Sequence, residues 1–382
     1  MNILLINHYA GSIQHGMEYR PYYFAKKWIE LGHQVTIVAS TYSHLRQKQP
    51  DTTEQFTEEW VDGIRYLWLS GNEYSGNGIK RVQNMISFVR KLYTYSETII
   101  RLVQPDVVIA SSTYPLDMYP AKKIAKKTKA TLIFEVHDLW PLSPKEIGNM
   151  SSYHPFIFSM QMAENYAYRN ADAVVSLLPK AKEHMVEHGL NPDKFHYIPN
   201  GIYLEDWEEQ QPLSDEILTK ILSLKKEGQF LLGYAGSQGS ANALNYLVEA
   251  AEQLQDEPCE IVLVGKGPDK EQLIQLAREK ELMNIHFFDA IPKQSIPSFL
   301  NEMDALFIGG KYISLYRFGI SPNKLLDYLM AGKPIVYSFK AGNNLVEESG
   351  AGITVEPENA KEIANGVKDL MKLSKEEREN MG

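Results

Sequence analysis

The sequence predicts an α/β protein with two doubly wound parallel-sheet domains. Its 382 residues are enough for two domains that each bury a core of their own. Apolar residues make up 44% of the chain and charged residues 23%, values that exclude disordered, collagen-like and disulfide-stapled proteins. Short apolar runs alternate with longer amphipathic stretches throughout, which is typical of buried parallel strands joined by helices.

Short apolar runs in both halves of the chain are the predicted strands. In chain order they are Ile3–Asn7, Gln34–Ala39, Val107–Ser111, Thr131–Glu135, Ala173–Leu177, Phe195–Ile198, Leu231–Tyr234, Glu260–Val264, Ile285–Phe288, Ala305–Ile308 and Pro334–Tyr337. The segment 199–212 is rich in turn residues and has no strand or core-helix period, so we place the domain boundary there. The predicted domains are residues 1–200 and 201–382. We expect them to face each other across a cleft at the carboxyl ends of their strands, where open α/β sheets bind ligands.

The cysteine content and the chain ends bear on the compartment. A single cysteine, Cys259, excludes an internal disulfide bond and a four-cysteine zinc site. The N-terminus lacks the features of a signal peptide, and no stretch reaches the roughly 18 apolar residues of a membrane span. We therefore expect a cytoplasmic protein. Residues 375–382 form a charged, helix-like stretch without a helix stop, which suggests that a terminal element is missing.

Charge is unevenly distributed along the chain. Its 39 basic and 48 acidic side chains give a net charge of −9. Residues 1–200 contain 21 Lys and Arg against 19 Asp and Glu, whereas residues 201–382 contain 18 against 29. This acidic balance and the lack of a basic aromatic stripe disfavour nucleic-acid binding.

Positive charge is concentrated in residues 80–130, which hold ten Lys and Arg against three acids. Cationic and apolar residues recur at helical spacing in 78–93 and 121–127. Helices of this kind lie against anionic lipid headgroups, so the segment 78–130 is a candidate for peripheral membrane contact. The alternative is a pair of ordinary amphipathic helices that cover the sheet.

The loop after the first predicted strand contains Gly11, Ser12 and Gly16. Glycines there allow close approach of a ligand to backbone amides at the start of the next helix. The loop does not match G-x-G-x-x-G, which disfavours a nicotinamide-dependent dehydrogenase. The alternative is a strand-to-helix turn that needs glycine only for tightness.

A second loop of small residues follows the strand Leu231–Tyr234 and contains Gly236, Ser237 and Gly239. Its backbone amides and the following helix N-terminus are suited to a diphosphate. Because the loop itself has no basic side chain, the counter-charge must come from elsewhere. Lys266, in the turn after the next strand, is one candidate, unless it is simply a solvated lysine.

The segment 321–336 predicts a helix that begins near Asn323 and ends at Gly332, followed by a strand. Lys324 and Asp327 are three residues apart, on one face of this helix. A carboxylate at this position is suited to the ribose diol of a nucleotide, and a lysine beside it to phosphate. The alternative is a surface ion pair.

Histidines provide two further candidates. His137 follows the strand Thr131–Glu135, where it could exchange a hydrogen bond with a substrate hydroxyl, with Asp138 or a backbone carbonyl setting its tautomer. The alternative is a structural histidine. His184 and His188 match the H-x-x-E-H pattern of inverted zinc proteases. Gly189 follows at once and places His188 in the last helical turn, where histidine is favoured anyway, so we do not assign a metal.

Several motifs together resemble the retaining glycosyltransferases of family 4, which have the two-domain GT-B architecture. The resemblance runs through nearly the whole chain and is closest to bacterial polysaccharide and O-antigen transferases of the WbuB type. It rests on the residues Gly11–Arg20, Glu135–Pro141, Tyr197–Ile202, Tyr234–Gly236, Leu263–Pro268, Pro322–Tyr328 and Ala331–Pro334.

This resemblance implies a nucleoside-diphosphate sugar as donor, with uridine favoured, and a glycan or polyprenyl-diphosphate-linked acceptor. It implies retention of anomeric configuration, and the lack of an Asp-rich motif predicts a reaction without metal or other cofactor. A lipid-linked acceptor would fit peripheral attachment to the inner face of the plasma membrane.

The resemblance also implies roles for particular residues. Asp327 takes the ribose-binding position of the family's acidic motif, whose first acidic position falls at Gly319. The family's usual Arg and Lys fall near Ser237 and Asn242, so another cation must replace them. The implied donor-binding residues are Asp327, Gly236, Ser237, Gly239, Lys266, Asn323 and Pro292; the catalytic candidates are His137, Lys324 and Arg317, with Lys311 as a further cation; and Gly11, Ser12 and Gly16 form the acceptor and diphosphate loop.

Two other functions remain open from sequence alone. A sugar-nucleotide epimerase could use the same fold, but it needs acid–base groups on both faces of the sugar. A nucleotide-sugar binding protein without catalysis would fit the replacements at Gly319, Ser237 and Asn242.

Overall fold

The computed structural model describes residues 1–52, 54–74, 76 and 78–382. They divide into two compact units, Met1–Pro199 and Asn200–Gly382. Each unit is an α/β structure with one sheet. Among these described residues, no helix has the length and apolar character needed to cross a lipid bilayer.

The N-terminal unit has an eight-stranded sheet in the order β3-β4-β2-β1-β5-β6-β7-β8. Its strands are β1 (Asn2–Ile6), β2 (Gln34–Ser40), β3 (Phe56–Val61), β4 (Ile64–Leu69), β5 (Val107–Ala110), β6 (Thr131–Val136), β7 (Ala173–Ser176) and β8 (Phe195–Tyr197). Its helices are α1 (Arg20–Glu30), α2 (Ile79–Thr94), α3 (Ser96–Val103), α4 (Met118–Thr128), α5 (Leu142–Glu146), α6 (Pro155–Asn170) and α7 (Lys182–Glu187).

The C-terminal unit has a six-stranded parallel sheet in the order β11-β10-β9-β12-β13-β14. Its strands are β9 (Phe230–Ala235), β10 (Cys259–Val264), β11 (Ile285–Phe288), β12 (Ala305–Gly309), β13 (Ile335–Ser338) and β14 (Gly352–Thr354). Its helices are α8 (Glu205–Glu208), α9 (Asp215–Lys226), α10 (Leu244–Glu252), α11 (Lys270–Glu279), α12 (Ile296–Asn301), α13 (Asn323–Met330), α14 (Leu345–Ser349), α15 (Ala360–Lys372) and α16 (Lys375–Met381).

The predicted strands are confirmed, but β3, β4 and β14 were not predicted. β3 pairs antiparallel with β4, so the first sheet is mixed rather than purely parallel. Asp62 and Gly63 join these two strands, both with positive φ, 51° and 78°, as a tight hairpin turn requires. β3 is an edge strand that carries the exposed Glu58 and so lacks a continuous apolar run. The Asp-Gly pair was the available signal for this hairpin.

The second sheet buries apolar side chains on both faces. Leu232 and Leu263 belong to one core cluster, whereas their strand neighbours Leu231 and Val262 belong to the cluster on the opposite face. Side chains alternate between the faces of a strand, so a strand covered on both sides must be apolar at successive positions. This explains the continuous apolar runs from which the strands were predicted.

The strand order reverses between β1 and β5 in the first sheet and between β9 and β12 in the second. Backbone and side-chain hydrogen bonds tie together the loops on either side of each reversal. Nδ2 of Asn7 donates to the carbonyl of Ser111 at 2.8 Å, and the N–H of Lys311 donates to the carbonyl of Ala241 at 3.1 Å. Open α/β sheets bind ligands beside such reversals, at the carboxyl ends of the strands.

An aspartate immediately before a strand fixes the start of a neighbouring strand at three places. In each case its carboxylate accepts the N–H at the neighbour's first or second residue. The acceptors Asp106, Asp172 and Asp304 receive the N–H groups of Asn2, Leu132 and Leu231 at 2.7, 2.8 and 2.9 Å. These bonds help to set the register of β1 against β5, β6 against β7 and β9 against β12.

We expect Asp304→Ala to lower the free energy of unfolding of the C-terminal unit by about 1 kcal/mol, the usual contribution of one hydrogen bond. Urea unfolding, followed by circular dichroism, measures the change. Asp256→Ala is the matched control, because it removes the same charge at an exposed residue of the same unit. Equal stability of the two variants would contradict a role for Asp304 at the start of β9.

Candidate functional site

The loops after β9 and β10 pack directly against each other. The N–H of Gly236 donates to the carbonyl of Val264 at 3.0 Å, and the N–H of Gln238 donates to the carbonyl of Lys266 at 2.9 Å. A Cβ atom on Gly265 would lie 1.9 Å from the carbonyl oxygen of Gly236, so only glycine fits there. The contact holds the small-residue loop at the carboxyl end of β9.

Lys324 reaches this loop from α13. Its Nζ donates to Oη of Tyr234 at 2.9 Å and to Oδ1 of Asn242 at 2.6 Å, and it lies 4.7 Å from the centre of the Tyr234 ring. Tyr234 Oη and Asn242 Nδ2 both donate to the carbonyl of Ser237, at 2.6 and 2.9 Å. These bonds form a closed network in which one ammonium group helps to order the loop.

Two features bear on Lys324: the anchoring of its helix and the effect of burial on its pKa. Tyr328, one turn further along α13, anchors the helix because its hydroxyl accepts the N–H of Ala235 and donates to the carbonyl of the same residue, at 2.8 and 3.2 Å. Burial lowers the pKa of Lys324 to about 7. Within the part of the chain that the structure describes, no carboxylate forms an ion pair with Lys324, so its charge remains available to an anionic ligand.

Asp327 lies on the same helix but contacts a different element. Its Oδ1 accepts a long hydrogen bond, 3.4 Å, from Nε1 of Trp207, which α8 buries against the helix. Burial raises the pKa of Asp327, and the charge of Lys293 opposes this shift. Lys324 and Asp327 therefore do not form the surface ion pair that was the alternative interpretation; each is directed to its own partners.

Three other candidates of this unit, Lys266, Arg317 and Asn323, are exposed. Lys266 is exposed, and its contribution to the loop is its backbone carbonyl. Arg317 is exposed, stacks on Phe318 at 4.3 Å and donates to the carbonyl of Ser314 at 2.8 Å. Asn323 is exposed at the first turn of α13.

Pro292 lies beside a cavity of about 540 Å³ in the C-terminal unit. The lining includes Phe288, the last residue of β11, Ile291 in the segment after it, and Ser214 just before α9. The position beyond the carboxyl end of a strand is compatible with a ligand-binding role for Pro292.

One polar residue of the β9 loop was not predicted. Gln238 is fully buried, and neither polar atom of its side chain has a hydrogen-bond partner among the described residues. Buried amides are normally paired, so Gln238 is a candidate for hydrogen bonding to a bound ligand. In the sequence, the available signal for Gln238 is its position between Ser237 and Gly239.

In the N-terminal unit, His137 belongs to a buried polar cluster at the end of β6. Its Nε2 lies 3.2 Å from Oε2 of Glu135 and 2.9 Å from Oγ of Ser111. Ser111 Oγ also donates to Oε2 of Glu135 at 2.6 Å. The expectation that Asp138 or a backbone carbonyl sets the tautomer was wrong. Alternate residues of a strand share a face, so Glu135 points with His137, whereas Asp138 is exposed.

Arg20 joins this cluster to the end of the unit. Its Nε and Nη2 donate to Oε1 of Glu135 at 3.1 and 2.9 Å, and its Nη1 donates to the carbonyl of Pro199 at 2.7 Å. Nη2 also donates to the carbonyl of Ile198 at 3.0 Å. Three sequence motifs that are far apart in the chain therefore meet at one guanidinium.

The pKa values of this cluster are set jointly. Burial opposes ionisation of Glu135, but His137, Arg20 and Ser111 hold its pKa well below the usual range. Burial likewise opposes protonation of His137, but the hydrogen bond and charge of Glu135 raise its pKa above 6.5. A buried carboxylate thus favours the protonated form of His137 and raises its pKa.

The loop of Gly11, Ser12 and Gly16 is largely occupied with its own structure. Ser12 and Gly16 exchange backbone hydrogen bonds of 3.2 and 2.8 Å, and Ser12 Oγ contacts Nδ1 of His15 at 2.8 Å. A Cβ atom on Gly11 would lie 1.9 Å from the carbonyl oxygen of Gly16. The geometry therefore explains these glycines by close packing, and Ser12 is fully buried.

Family comparison gives the class of protein to which these sites belong. Residues 15–201 match the Glycosyl transferase 4-like domain, and residues 219–382 match Glycosyl transferases group 1. The two matches together take in most of the chain, one in each unit. The protein is therefore a member of the family-4-type glycosyltransferases, which have the GT-B fold.

Individual relatives are distant. The putative colanic acid biosynthesis glycosyl transferase WcaI of Escherichia coli strain K12 is 24% identical over 216 residues, which are 56% of this chain and 52% of that protein. The match thus spans about half the length of this curated relative.

Solved structures share the fold over nearly the whole chain. Sucrose-phosphate synthase from Thermosynechococcus elongatus has a TM-score of 0.70 at 14% identity, covering 99% of this chain and 91% of its own. HepE from Anabaena, solved with UDP and glucose, has a TM-score of 0.66 at 17% identity, covering 100% and 92%. At this level of identity the likeness establishes the fold alone.

We expect Glu135→Gln to lower the pKa of His137, because the burial that disfavours the imidazolium remains while the carboxylate that stabilises it is lost. NMR titration of the imidazole carbon resonances measures this. The raised pKa of the folded wild type stabilises the protein below pH 6.5, and that contribution disappears as the pH rises through the folded value. In the variant this pH-dependent part of stability shrinks.

The exposed His196 provides an internal reference in the same spectra. A pKa for His137 that is the same in Glu135→Gln and wild type would show that Glu135 does not control its protonation.

Proposed function

We propose that the protein is a retaining glycosyltransferase that moves a sugar from a nucleoside diphosphate to a glycan or lipid-linked glycan. The observation that carries this proposal is the buried ammonium of Lys324, which is held by Tyr234 and Asn242 inside a glycine-containing loop at the carboxyl end of β9. A cation beside exposed backbone amides is what a departing diphosphate needs.

Lys324 would also supply the positive charge that the loop after β9 lacks. The family position that normally carries a lysine falls near Asn242, and here Oδ1 of Asn242 accepts a hydrogen bond from Lys324. The missing charge is thus supplied from α13, through space, to the same loop. Since Tyr234 and Asn242 are neutral, an incoming phosphate would form an ion pair with the ammonium without displacing a carboxylate.

The donor is proposed to be a uridine diphosphate sugar. Asp327 would bind the ribose hydroxyls, and Gln238 would satisfy its unpaired amide with the nucleotide. The structure of HepE with UDP and glucose supports uridine as the base to test first. Ser237 and Gly239 would offer backbone amides to the phosphates, whereas the N–H of Gly236 is already bonded to Val264 and holds the loop in place. Asn323, Lys266 and Arg317 would lie at the periphery.

The chemistry follows from charge. As the glycosidic bond breaks, negative charge grows on the diphosphate and the sugar becomes oxocarbenium-like. Positive charge at Lys324, favoured once the diphosphate is bound beside it, would stabilise this state, a contribution of roughly several kcal/mol in a water-excluded site. The leaving phosphate would take the acceptor proton as the new bond forms on the same face, which retains configuration. We propose that this step uses neither a metal ion nor another cofactor.

The N-terminal unit would bind the acceptor. His137, whose pKa is raised by Glu135, is suited to donate a hydrogen bond to a sugar or phosphate oxygen. The loop Gly11–Gly16 would lie beside the acceptor. The relative named for colanic acid biosynthesis supports a role in bacterial surface polysaccharide synthesis.

We also propose peripheral contact with the inner face of the plasma membrane, through a narrower surface than the segment 78–130. Lys91, Lys122 and Lys123 donate hydrogen bonds to groups of the protein itself. The outer face of α2 instead exposes apolar side chains at seven-residue intervals, with Lys80 and Arg90 also exposed. These apolar side chains are Ile79, Ile86 and Tyr93, exposed by 77%, 41% and 40%.

We expect Lys324→Met to weaken UDP binding by about 10- to 100-fold, since a charge-assisted hydrogen bond contributes roughly 1.5–3 kcal/mol. Asp327→Asn should weaken it by a comparable factor. Isothermal titration calorimetry measures both. Lys340→Met and Asp256→Asn are the matched controls, because each makes the same charge change at an exposed residue of the same unit.

A panel of sugar nucleotides then separates the possible activities. A transferase releases nucleoside diphosphate in step with product formation on an acceptor, whereas an epimerase yields a new sugar nucleotide and a binding protein yields neither. If Lys324→Met bound UDP as tightly as the wild type, the proposed role of Lys324 would be wrong.

We expect the protein to float with liposomes that contain anionic lipid and to float less with neutral liposomes. The variant Ile86→Asp/Arg90→Glu should bind more weakly, by about fivefold for each unit of charge lost near the surface. Leu222→Asp is the control, because Leu222 is exposed on α9 in the other unit. Equal flotation of both variants would rule out the outer face of α2.

A further inference from the structure

A buried carboxylate and two histidines meet on one side of the N-terminal unit. Glu164 lies on α6, His184 on α7, and His188 at the end of α7. One ligand atom from each of the three lies within 4.8 Å of the others. Both histidines belong to the H-x-x-E-H pattern. The carboxylate is that of Glu164, which lies twenty residues before His184 in the chain.

We propose that Glu164, His184 and His188 bind a divalent cation of the zinc class. Two imidazoles and one carboxylate are a donor set that zinc uses in proteins, with a water molecule completing a tetrahedron. Bonds of about 2.0–2.1 Å place neighbouring ligand atoms roughly 3.3 Å apart. Nε2 of His184 already lies 3.3 Å from Oε1 of Glu164.

The hydrogen bonds around the cluster orient two of the ligands. Nδ1 of His188 lies 2.8 Å from the carbonyl oxygen of His184, and because a carbonyl only accepts, this nitrogen must carry the proton. In the neutral ring, Nε2 of His188 then has a lone pair for a metal. A histidine ligand that donates its other N–H to a backbone carbonyl is the usual arrangement at metal sites.

Glu164 is held in a comparable way. Its Oε1 accepts the hydroxyl of Tyr168 at 3.0 Å, and its Oε2 accepts Nε2 of Gln161 at 2.7 Å. Its side chain is only 2% exposed, and among the described residues the ion-pair partner found for it is His184. A buried carboxylate with so little compensating charge is favourable for binding a dication.

The rings of His184 and His188 lie close together, with centroids 4.2 Å apart. Protonation of both would place two positive charges side by side, whereas coordination lets both rings remain neutral. On binding, the proton at Nε2 of His184 leaves for solvent or for Nδ1 of the same ring, and Nε2 and Oε1 then both bind the metal. The ion would join α6 to α7.

This site takes no part in the proposed sugar transfer. It shares no residue with the cluster of His137 and Glu135 at the end of β6. Its effect is therefore expected on stability, through binding to the folded state alone.

The experiment uses the full chain, freed of any affinity tag and treated with a chelator. Titration with Co²⁺ should give visible d–d absorption that saturates at one equivalent and is displaced by Zn²⁺. Zn²⁺ should also raise the melting temperature. His188→Gln should weaken Co²⁺ binding at least about tenfold. It leaves the hydrogen bond between His184 and Glu164 in place, so the variant should still fold.

His196→Gln is the matched control, because it removes an exposed histidine of the same unit outside the cluster. It should bind Co²⁺ like the wild type. The proposal is overturned if no saturable d–d band forms, or if His188→Gln binds as tightly as His196→Gln. Neither result depends on whether the protein transfers a sugar.

Discussion

The buried ammonium of Lys324 is the feature on which the proposed chemistry depends. It is held by the neutral oxygens of Tyr234 and Asn242, and both of these groups also order the loop through the carbonyl of Ser237. Burial without a carboxylate partner keeps its pKa near 7. An arriving diphosphate would favour the protonated form, and the positive charge would then lie where the leaving group needs it.

The cluster around His137 follows the opposite electrostatic design. There the buried carboxylate of Glu135 is compensated by Arg20 and by His137 itself, and Arg20 extends the network to the carbonyls that end the N-terminal unit. One unit therefore has an unpaired cation and the other a neutralised acid–base pair. The two suit different tasks, stabilisation of a leaving group and orientation of a neutral sugar hydroxyl or phosphate oxygen.

Sequence patterns predicted most of the fold because parallel strands buried on both faces require continuous apolar runs, as in Leu231–Tyr234. They missed β3, whose exposed Glu58 is tolerated at a sheet edge, and β14, which has three residues. Within the candidate site, sequence identified Lys324, Asp327 and His137 but not the partners that hold them. Partners such as Trp207 and Tyr234 lie about 90 to 120 residues away and leave no local pattern.

The sequence by itself determined the parallel α/β class, the helix of Lys324 and Asp327, and the glycines that let two loops touch, because each follows from local periodicity or backbone conformation. Only the tertiary structure decided which groups share a site. It brought Lys324 to the loop that lacks a cation, Glu135 rather than Asp138 to His137, and Glu164 to His184 and His188. Hydrogen bonds and charges act over a few ångströms in space, and the folded chain alone sets those distances.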